Sequence, residues 1–256
     1  MKNAAADSEP FKKKVARVSN ENASRIILAI DVGCGHSESD FRRVRVLLEK
    51  TVPYLCGVKL GRQTVLNLGT NRIAKVTKLI HRRGLPCIVD DKLNDIGPTN
   101  IAIADSYFRF GFDALTANPL AGWEGGLQPL FSIAHKKGKG VILLVYMSHP
   151  GASEGYGQTV LERSKLKPQY VSFAQKAVEW KADGTVVGAT RPEVVKQVRR
   201  VLGRRVPIYS PGVGVQGGDL KRALSMGTDY FIIGRSITEN SSPLTAASKF
   251  ARLSMG

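Results

Sequence analysis

A short run of alternating charges is the part of this 256-residue sequence best suited to chemistry. Asp90 and Lys92 follow the apolar pair Ile88–Val89, and Asp95 comes three residues after Lys92. Residues two apart on a β-strand face the same side, so the carboxylate of Asp90 and the ammonium of Lys92 should point together, with Asp91 facing away. On a surface this would be an ordinary ion pair, whereas at the carboxyl end of a buried parallel strand it predicts a functional site.

The elements that must position these charges repeat regularly from Arg25 onward: a short apolar run, a polar or glycine break, then a longer helical pattern. Strands are predicted over 26–30, 55–60, 87–89, 114–117, 141–145, 184–187, 207–209 and 230–233. Helices are predicted over 41–50, 64–83, 99–109, 126–137, 168–182, 192–202, 219–226 and 243–253. Eight strands alternating with eight helices predict a single-domain (β/α)8 TIM barrel, with an open doubly wound sheet as the alternative.

The first 24 residues differ from the rest in being polar and charged. We therefore expect a flexible basic amino-terminal arm over residues 1–24 and the barrel domain over residues 25–256. The arm lacks the apolar core of a signal peptide, and no later apolar run is long enough to span a bilayer. Cys34, Cys56 and Cys87 form no CxxC pair and are interpreted as reduced thiols. Together these features predict a cytoplasmic protein with no membrane partner.

The formal net charge of +17 suggests anionic ligands, among which nucleic acid must be considered. Lysine and arginine are spread along the chain in short runs, without the interleaved aromatic residues that bind single strands. No specific nucleic-acid partner is therefore predicted. A nucleic-acid-binding protein stays as a remote alternative from a different functional class.

Polar residues also follow the other predicted strands. Asp31 follows the first strand, Lys59 lies at the end of the second, Ser148 follows the fifth, and Arg235 follows the last. Any one of them alone could be a helix cap or a surface charge. Because the carboxyl ends of parallel strands meet at one rim of a barrel, their agreement predicts a shared site.

Two loops near the end of the chain are suited to binding phosphate. Residues 210–219 read Ser-Pro-Gly-Val-Gly-Val-Gln-Gly-Gly-Asp and open a helix, and Gly234-Arg235-Ser236 opens the next one. Backbone N–H groups of a glycine-rich loop can approach phosphate closely, and a guanidinium fork suits phosphate oxygens. Flexible turns alone would also explain the glycines. The adjacent arginine and the predicted positions after the seventh and eighth strands favour a phosphate site.

These residues, taken in order, resemble the orotidine 5′-phosphate decarboxylase family. The resemblance covers nearly the whole chain after the amino-terminal arm. It rests on the following segments: Ala29-Ile30-Asp31, Val58-Lys59-Leu60-Gly61, Asp90-x-Lys92-x-x-Asp95-Ile96-x-x-Thr99, Met147-Ser148-His149-Pro150-Gly151, Ser210-Pro211-Gly212-Val213-Gly214-x-Gln216-Gly217-Gly218-Asp219 and Ile233-Gly234-Arg235-Ser236.

The resemblance implies a role for each matched position. Lys59, Asp90, Lys92 and Asp95 would form a catalytic network of alternating charge, with Lys92 donating the proton to C6 of the pyrimidine. Asp95, Ile96 and Thr99 would complete the site of the neighbouring protomer in a homodimer. The residues implied to bind substrate are Asp31, Lys59 and Thr99 at the ribose, Ser148 at the pyrimidine, and Pro211, Gly214, Gln216, Gly217, Gly234 and Arg235 at the phosphate, together with Ile96.

The implied reaction converts orotidine 5′-monophosphate to uridine 5′-monophosphate and CO2 in de novo pyrimidine biosynthesis, with no cofactor and no metal. A monofunctional form is implied, since Val89-Asp90-Asp91 lacks the continuation of a phosphoribosyltransferase loop. The alternative within the superfamily is a Mg²⁺-dependent sugar-phosphate decarboxylase or hexulose-phosphate synthase. Those relatives place an acidic ligand where this chain has Lys59. His149 invites a general-base interpretation, but a structural role is favoured, and His36, His81 and His135 lack metal-like spacing.

Overall fold

The computed structural model describes residues 9–31, 37–162 and 164–256 of the chain. Its strands are β1 Ile26–Ile30, β2 Gly57–Gly61, β3 Cys87–Leu93, β4 Ala114–Ala117, β5 Gly140–Tyr146, β6 Thr159–Glu162, β7 Lys165–Pro168, β8 Gly184–Val187, β9 Ile208–Pro211 and β10 Tyr230–Ile233. The helices are α1 Phe11–Glu21, α2 Ser37–Thr51, α3 Arg62–Arg82, α4 Gly97–Arg109, α5 Gln128–Lys136, α6 Ala152–Tyr156, α7 Gln169–Glu179, α8 Pro192–Leu202, α9 Leu220–Ser225, α10 Arg235–Thr238 and α11 Pro243–Ser254.

Eight of these strands close into a parallel barrel in the order β1-β2-β3-β4-β5-β8-β9-β10. Parallel pairing of β1 with β10 closes the circle, which confirms the predicted (β/α)8 barrel and excludes the open sheet. The strands read as continuous apolar runs because helices cover them outside and side chains fill the barrel inside. Near the starts of β9 and β10, Tyr209 and Tyr230 stack with ring centroids 4.9 Å apart. Gly184 lies against the Tyr209 ring, where a Cβ would have no room.

The amino-terminal segment differs from the sequence-based expectation. Residues 11–21 form α1, whose Phe11, Val15 and Val18 are buried in the barrel core. The Phe11 ring packs against Gly140 at the start of β5, and its amide donates to the carbonyl of Gly138 at 3.2 Å. The flexible arm expected from the sequence is therefore wrong for residues 11–21, because three apolar side chains at helical spacing anchor this largely charged helix. Residues 1–8 of the predicted arm lie outside the described residues.

An antiparallel hairpin, β6–β7, interrupts the alternation between β5 and α7 and was not predicted. Leu161 pairs with Leu166 across the hairpin, and both side chains are about three-quarters exposed, at 72% and 73%. The opposite face contacts α7 through Glu162, which accepts a hydrogen bond from Ser172 of that helix at 2.8 Å. The Glu162 carboxylate also lies 2.7 Å from the Lys167 ammonium within the hairpin. The hairpin is therefore fixed to α7 by its polar face.

A repeated aspartate contact fastens the amino end of the barrel. In three places an aspartate just before one strand accepts the amide of a residue at the start of the previous strand in the barrel. The same aspartate contacts a basic side chain from the helix that leads into that previous strand. The three sets are Asp113 with Cys87 N (2.8 Å) and His81, Asp183 with Val141 N (2.9 Å) and His135, and Asp229 with Ile208 N (2.7 Å) and Arg199.

The amino end of the barrel also carries many exposed basic side chains. Helices that run antiparallel to the strands end there, and cations are favoured near helix carboxyl termini. Helix α1 lies at this end, and its Lys12 ammonium donates a hydrogen bond to the carbonyl of Arg205. The exposed basic residues of this end include Lys12, Lys13, Arg82, Arg83, Lys136, Lys137, Arg200, Arg204 and Arg205. No helix in the described part of the chain combines the length and apolar character that crossing a bilayer requires.

Candidate active site

The backbone of β3 is irregular where the charged residues lie. Val89 pairs with Leu115 and Leu93 pairs with Ala117, so three residues of β3 stand opposite Thr116 alone. Lys92 takes up this excess with φ of 58°, a left-handed conformation that costs a non-glycine residue about 1–2 kcal/mol. The bulge, rather than simple alternation, aims Asp90 and Lys92 into the same space. Such bulges commonly redirect side chains next to active sites.

Four charged side chains form a chain of alternating sign across the carboxyl ends of β1, β2 and β3. The ammonium of Lys59 lies 3.3 Å from Asp31 Oδ1 and 3.2 Å from Asp90 Oδ2. On the other side of Asp90, Lys92 Nζ lies 2.8 Å from Oδ1. The Lys59 side chain is 9% exposed and that of Lys92 is 35% exposed. Lys92 is therefore the ammonium that a molecule entering the cavity would meet.

Burial and charge act in opposite directions on the two inner members of this chain. Burial alone would raise the pKa of Asp90, but the adjacent ammonium groups of Lys59 and Lys92 outweigh it and hold the pKa well below the usual range. Burial likewise favours neutral Lys59, but the carboxylates of Asp90 and Asp31 raise its pKa above the ordinary value. Both groups are therefore charged at neutral pH in the cavity as it stands.

The charges open into a cavity of about 370 Å³ at the carboxyl end of the barrel. Its floor is apolar, formed by Ile88, Ile142, Leu144, Val186 and Ile232. The side opposite Asp90 and Lys92 is formed by the loops after β9 and β10. Of the sequence-predicted site residues, the cavity brings together Asp31, Lys59, Asp90, Lys92, Ser148, Pro211, Gln216, Gly234 and Arg235.

The glycine-rich loop after β9 has the compact backbone that its sequence suggests. Gly212, Gly214 and Gly217 all have positive φ values, at 96°, 79° and 86°. The Ser236 hydroxyl lies where a Cβ of Gly214 would be, and it accepts the Val215 amide at 3.2 Å. Asp219 ends the loop and caps α9 by accepting the amide of Arg222 at 2.9 Å. The loop is thus tied to the start of α10 beside Arg235.

Several predicted site residues lie outside the cavity of their own chain. Gly214 and Gly217 shape the loop but do not line the cavity. Asp95 and Ile96 are exposed beyond the end of β3, where Asp95 Oδ1 accepts the amide of Ile96 at 2.7 Å, and Thr99 lies in the first turn of α4. The Ile96 side chain is 63% exposed. Asp95 and Ile96 are therefore exposed and Thr99 is half-buried, and none of the three lines the cavity of this chain.

Other polar candidates are placed away from the chemistry. Asp91 faces outward as alternation predicts, and it is buried in contact with Arg62. His149 is exposed and does not line the cavity, so the structural role favoured from the sequence, as a histidine packed beneath the loop, is wrong. Cys56 and Cys87 are buried free thiols, and burial raises the pKa of each. His36 and Cys34 lie outside the described residues.

Thr116 lines the cavity and was not predicted from the sequence. Its hydroxyl donates to Asp90 Oδ1 at 2.9 Å and accepts the amide of Lys92 at 2.9 Å. The available signal was a single hydroxyl in the apolar run Ala114-Leu115-Thr116-Ala117, on the strand next to the charged one. Met147 and Glu239 also line the cavity and were not predicted.

A closed (β/α)8 barrel with a charged cavity at its carboxyl end defines the class of barrel enzymes whose active sites lie on that face. The glycine-rich loop follows the seventh barrel strand, where such barrels frequently bind phosphate. The profile of the orotidine 5′-phosphate decarboxylase / HUMPS family matches residues 24–250. The chain belongs to this family.

Individual relatives agree with that assignment. The orotidine 5′-phosphate decarboxylase of Methanosarcina mazei is 34% identical over 231 residues, covering 90% of this chain and 95% of the relative. The enzyme of the same name from Thermococcus kodakarensis is 35% identical over 224 residues, covering 88% and 93%. Among solved structures, orotidine 5′-monophosphate decarboxylase of Methanocaldococcus jannaschii, complexed with the inhibitor BMP, superimposes with a TM-score of 0.75 at 28% identity. That match covers 90% of this chain and 98% of the other. The similar curated proteins are thus carboxy-lyases by name.

Proposed function

We propose that this protein decarboxylates orotidine 5′-monophosphate to uridine 5′-monophosphate and CO2, in the cytoplasm and as a step of pyrimidine biosynthesis. The observation that carries the proposal is the chain Asp31–Lys59–Asp90–Lys92, which lines one side of a cavity whose opposite side holds Gln216 and Arg235. Family membership supports the same substrate, because the curated relatives bear this enzyme's name. The free buried thiols of Cys56 and Cys87 suit a reducing compartment.

The proposed chemistry uses Lys92 as an electrostatic stabiliser and proton donor. The bond between pyrimidine C6 and the carboxylate carbon breaks, its electron pair stays on C6, and CO2 leaves. No neighbouring carbonyl delocalises this carbanion, so a positioned ammonium must stabilise it. A proton from Lys92 Nζ then forms the C6–H bond, and water restores the proton on the amine.

Asp90 contributes by opposing the substrate carboxylate. Its pKa lies well below the usual range, so it is anionic when the substrate binds. A second carboxylate beside it is repelled, and departure as neutral CO2 removes the repulsion. The positive charge of Lys59 offsets part of that repulsion. Lys59 Nζ lies 3.2 Å from Asp90 Oδ2, the carboxylate oxygen that does not contact Lys92.

The remaining contacts would bind the distal parts of the nucleotide. The backbone of the loop that contains Pro211, Gly214 and Gly217, together with Gln216 and Arg235 and the Gly234 amide, would bind phosphate. Asp31 and Lys59 would bind ribose hydroxyls, and Ser148 the pyrimidine. Binding energy from the phosphate is then available to orient C6 against Lys92.

We also propose a homodimer in which Asp95, Ile96 and Thr99 of each protomer complete the neighbouring site. Support comes from the exposure of Asp95 and Ile96 and from the position of all three residues outside their own cavity. Two large apolar side chains are also exposed, Leu66 in α3 at 75% and Leu120 in the turn after β4 at 67%. Asp95 of the neighbouring protomer would then add a fifth charge to the alternating chain, beyond Lys92.

The Mg²⁺-dependent sugar-phosphate enzymes of the superfamily are the second candidate. The residues present do not fit a divalent cation, because the two carboxylates that could bind it, Asp31 and Asp90, are already bridged by the ammonium of Lys59. A lysine between the carboxylates neutralises them and repels a second cation. Nucleic-acid binding as the main function explains none of the cavity residues.

The test is an ultraviolet assay of the purified protein with orotidine 5′-monophosphate, with and without EDTA. We expect loss of the substrate absorbance at equal rates in both samples. Activity that disappears in EDTA and returns with Mg²⁺ would favour the metal-dependent relatives. No activity on the nucleotide, together with turnover of a sugar phosphate, would overturn the proposal.

A further inference from the structure

We propose that Thr116 is a positioning residue that fixes both reacting groups of the site, Asp90 and Lys92, through one hydroxyl. The inference rests on the proposed decarboxylation and adds a residue to it. Thr116 lies in the middle of β4, with 3% of its surface exposed, directly opposite the bulge of β3. Its hydroxyl is hydrogen-bonded both to the Asp90 carboxylate and to the Lys92 amide.

The direction of each hydrogen bond follows from the atoms involved. A backbone amide can only donate, so the amide of Lys92 must use a lone pair of Thr116 Oγ1, at 2.9 Å. Ionised Asp90 can only accept, so the hydroxyl proton points to Oδ1, also at 2.9 Å. One hydroxyl therefore serves as acceptor and donor at once, and neither role can be exchanged with the other.

The contact with the Lys92 amide explains how the bulge is held. Lys92 has a φ of 58°, and its side chain leaves the strand in a direction that this backbone sets. In a regular parallel pair, a carbonyl of the neighbouring strand would accept its amide. Here the side chain of Thr116 replaces that carbonyl, so the left-handed turn keeps a partner.

The contact with Asp90 removes the last freedom of the carboxylate. Oδ2 faces Lys59 at 3.2 Å, while Oδ1 accepts both Lys92 Nζ at 2.8 Å and the Thr116 hydroxyl at 2.9 Å. Contacts on both oxygens prevent rotation of the carboxylate plane. Asp90 therefore presents a fixed edge to an incoming carboxylate, which is what preorganised electrostatics require.

The decisive comparison is Thr116→Val against Thr116→Ser, with Thr185→Val as the matched control. Valine preserves the shape and removes the hydroxyl, whereas serine keeps the hydroxyl. Thr185 is a fully buried barrel threonine on β8 whose hydroxyl bonds to the Pro207 carbonyl and which does not line the cavity. It reports the general cost of placing valine in a barrel strand.

We expect Thr116→Val to lower kcat about 30-fold to 100-fold with KM changed less than about threefold, since misplacing reacting groups by about 1 Å costs on that order. Thr116→Ser should recover kcat to within about fivefold of the wild type, and Thr185→Val should stay within about twofold. A merely structural role would lower the melting temperature of both valine variants without separating their kcat values.

A second measurement does not depend on turnover. The amide proton of Lys92, followed by hydrogen exchange in NMR spectra, should exchange at least about tenfold faster in Thr116→Val than in the wild type or Thr116→Ser, because its acceptor is gone. Near-normal kcat in Thr116→Val, or equal losses in the valine and serine variants, would overturn the role in catalysis. Inactive wild-type protein with this exchange pattern would refute the decarboxylation and keep the positioning contact.

Discussion

Replacement of Lys92 by alanine tests the centre of the proposed chemistry. The change removes an ammonium 2.8 Å from Asp90 Oδ1 and leaves the loops after β9 and β10 untouched. Charge stabilisation by one positioned donor is worth about 10²–10³ in kcat, and proton donation about 10²–10⁴. If both are lost, kcat should fall by at least about 10⁴, which corresponds to about 5.4 kcal/mol at 1.36 kcal/mol per decade.

Folding should be affected far less than turnover. Asp90 keeps its contact with Lys59 in the variant, and the lost pair involves a Lys92 side chain that is 35% exposed, so screening limits the cost to about 1 kcal/mol. Lys92→Gly provides a matched control for the backbone. Glycine tolerates the φ of 58°, so the free energy of unfolding of this variant should be about 1 kcal/mol higher than that of Lys92→Ala. Both variants should be equally inactive.

Three measurements decide the outcome: the ultraviolet rate with orotidine 5′-monophosphate, calorimetric binding of uridine 5′-monophosphate, and thermal unfolding. Product binding should persist within about tenfold in both variants, since the phosphate side is intact. Lys136→Ala, on the exposed amino end, controls for the loss of one positive charge. If Lys92→Ala retained kcat within tenfold of the wild type, the lysine would be neither the proton donor nor the main stabiliser.

Three further predictions follow from the geometry. Arg235→Ala should weaken binding of uridine 5′-monophosphate by about 10²-fold but that of uridine by less than about threefold, measured by calorimetry, because a charged hydrogen bond to phosphate is lost; equal losses would contradict the phosphate role. Mixed dimers of Asp95→Asn and Lys92→Ala protomers should regain activity in about half of the sites of each verified heterodimer, and no recovery would argue against shared sites. Asp113→Asn should reduce the loss of folding stability at acid pH. Burial alone would raise the pKa of Asp113, but the contact with His81 and the nearby lysines hold it well below 3.8. The stability that the carboxylate contributes is therefore present above about pH 4 and is lost as the pH falls toward the pKa of the folded state. Urea unfolding at pH 3 and pH 7 checks this, and an unchanged pH dependence would refute it.

The fold was predictable because its strands carry a strong local signal. The bounds of β1, β4, β8 and β10 agree with the apolar runs in the sequence at both ends. Burial on both sides makes such strands apolar throughout, so they stand out against the helices. The α1 helix and the β6–β7 hairpin were missed because most of their residues are charged or polar, and only tertiary contacts of Phe11 and Glu162 explain their structure.

The site was predictable in its residue types but not in its geometry. Parallel strand ends place Asp31, Lys59 and Asp90 at one rim whatever the details of the barrel. Regular alternation could not foresee the bulge at Lys92 or the hydroxyl of Thr116 that holds it, since both depend on the register between two strands. The roles of residues at a protomer boundary depend on an assembly that one chain does not contain, and they stay predictions.

The separation between the basic amino end and the cavity limits what that charge can do. Helix α8 alone spans eleven residues, or about 16 Å at 1.5 Å per residue, between the two ends. The ionic atmosphere at physiological salt attenuates an exposed charge over about 8 Å, so little of this field reaches an arriving nucleotide. The proposed anionic substrate is therefore attracted mainly by the basic side chains that line the cavity, Lys59, Lys92 and Arg235. The amino end can therefore gain or lose arginines and lysines, which changes the solubility of the protein, while turnover stays unchanged.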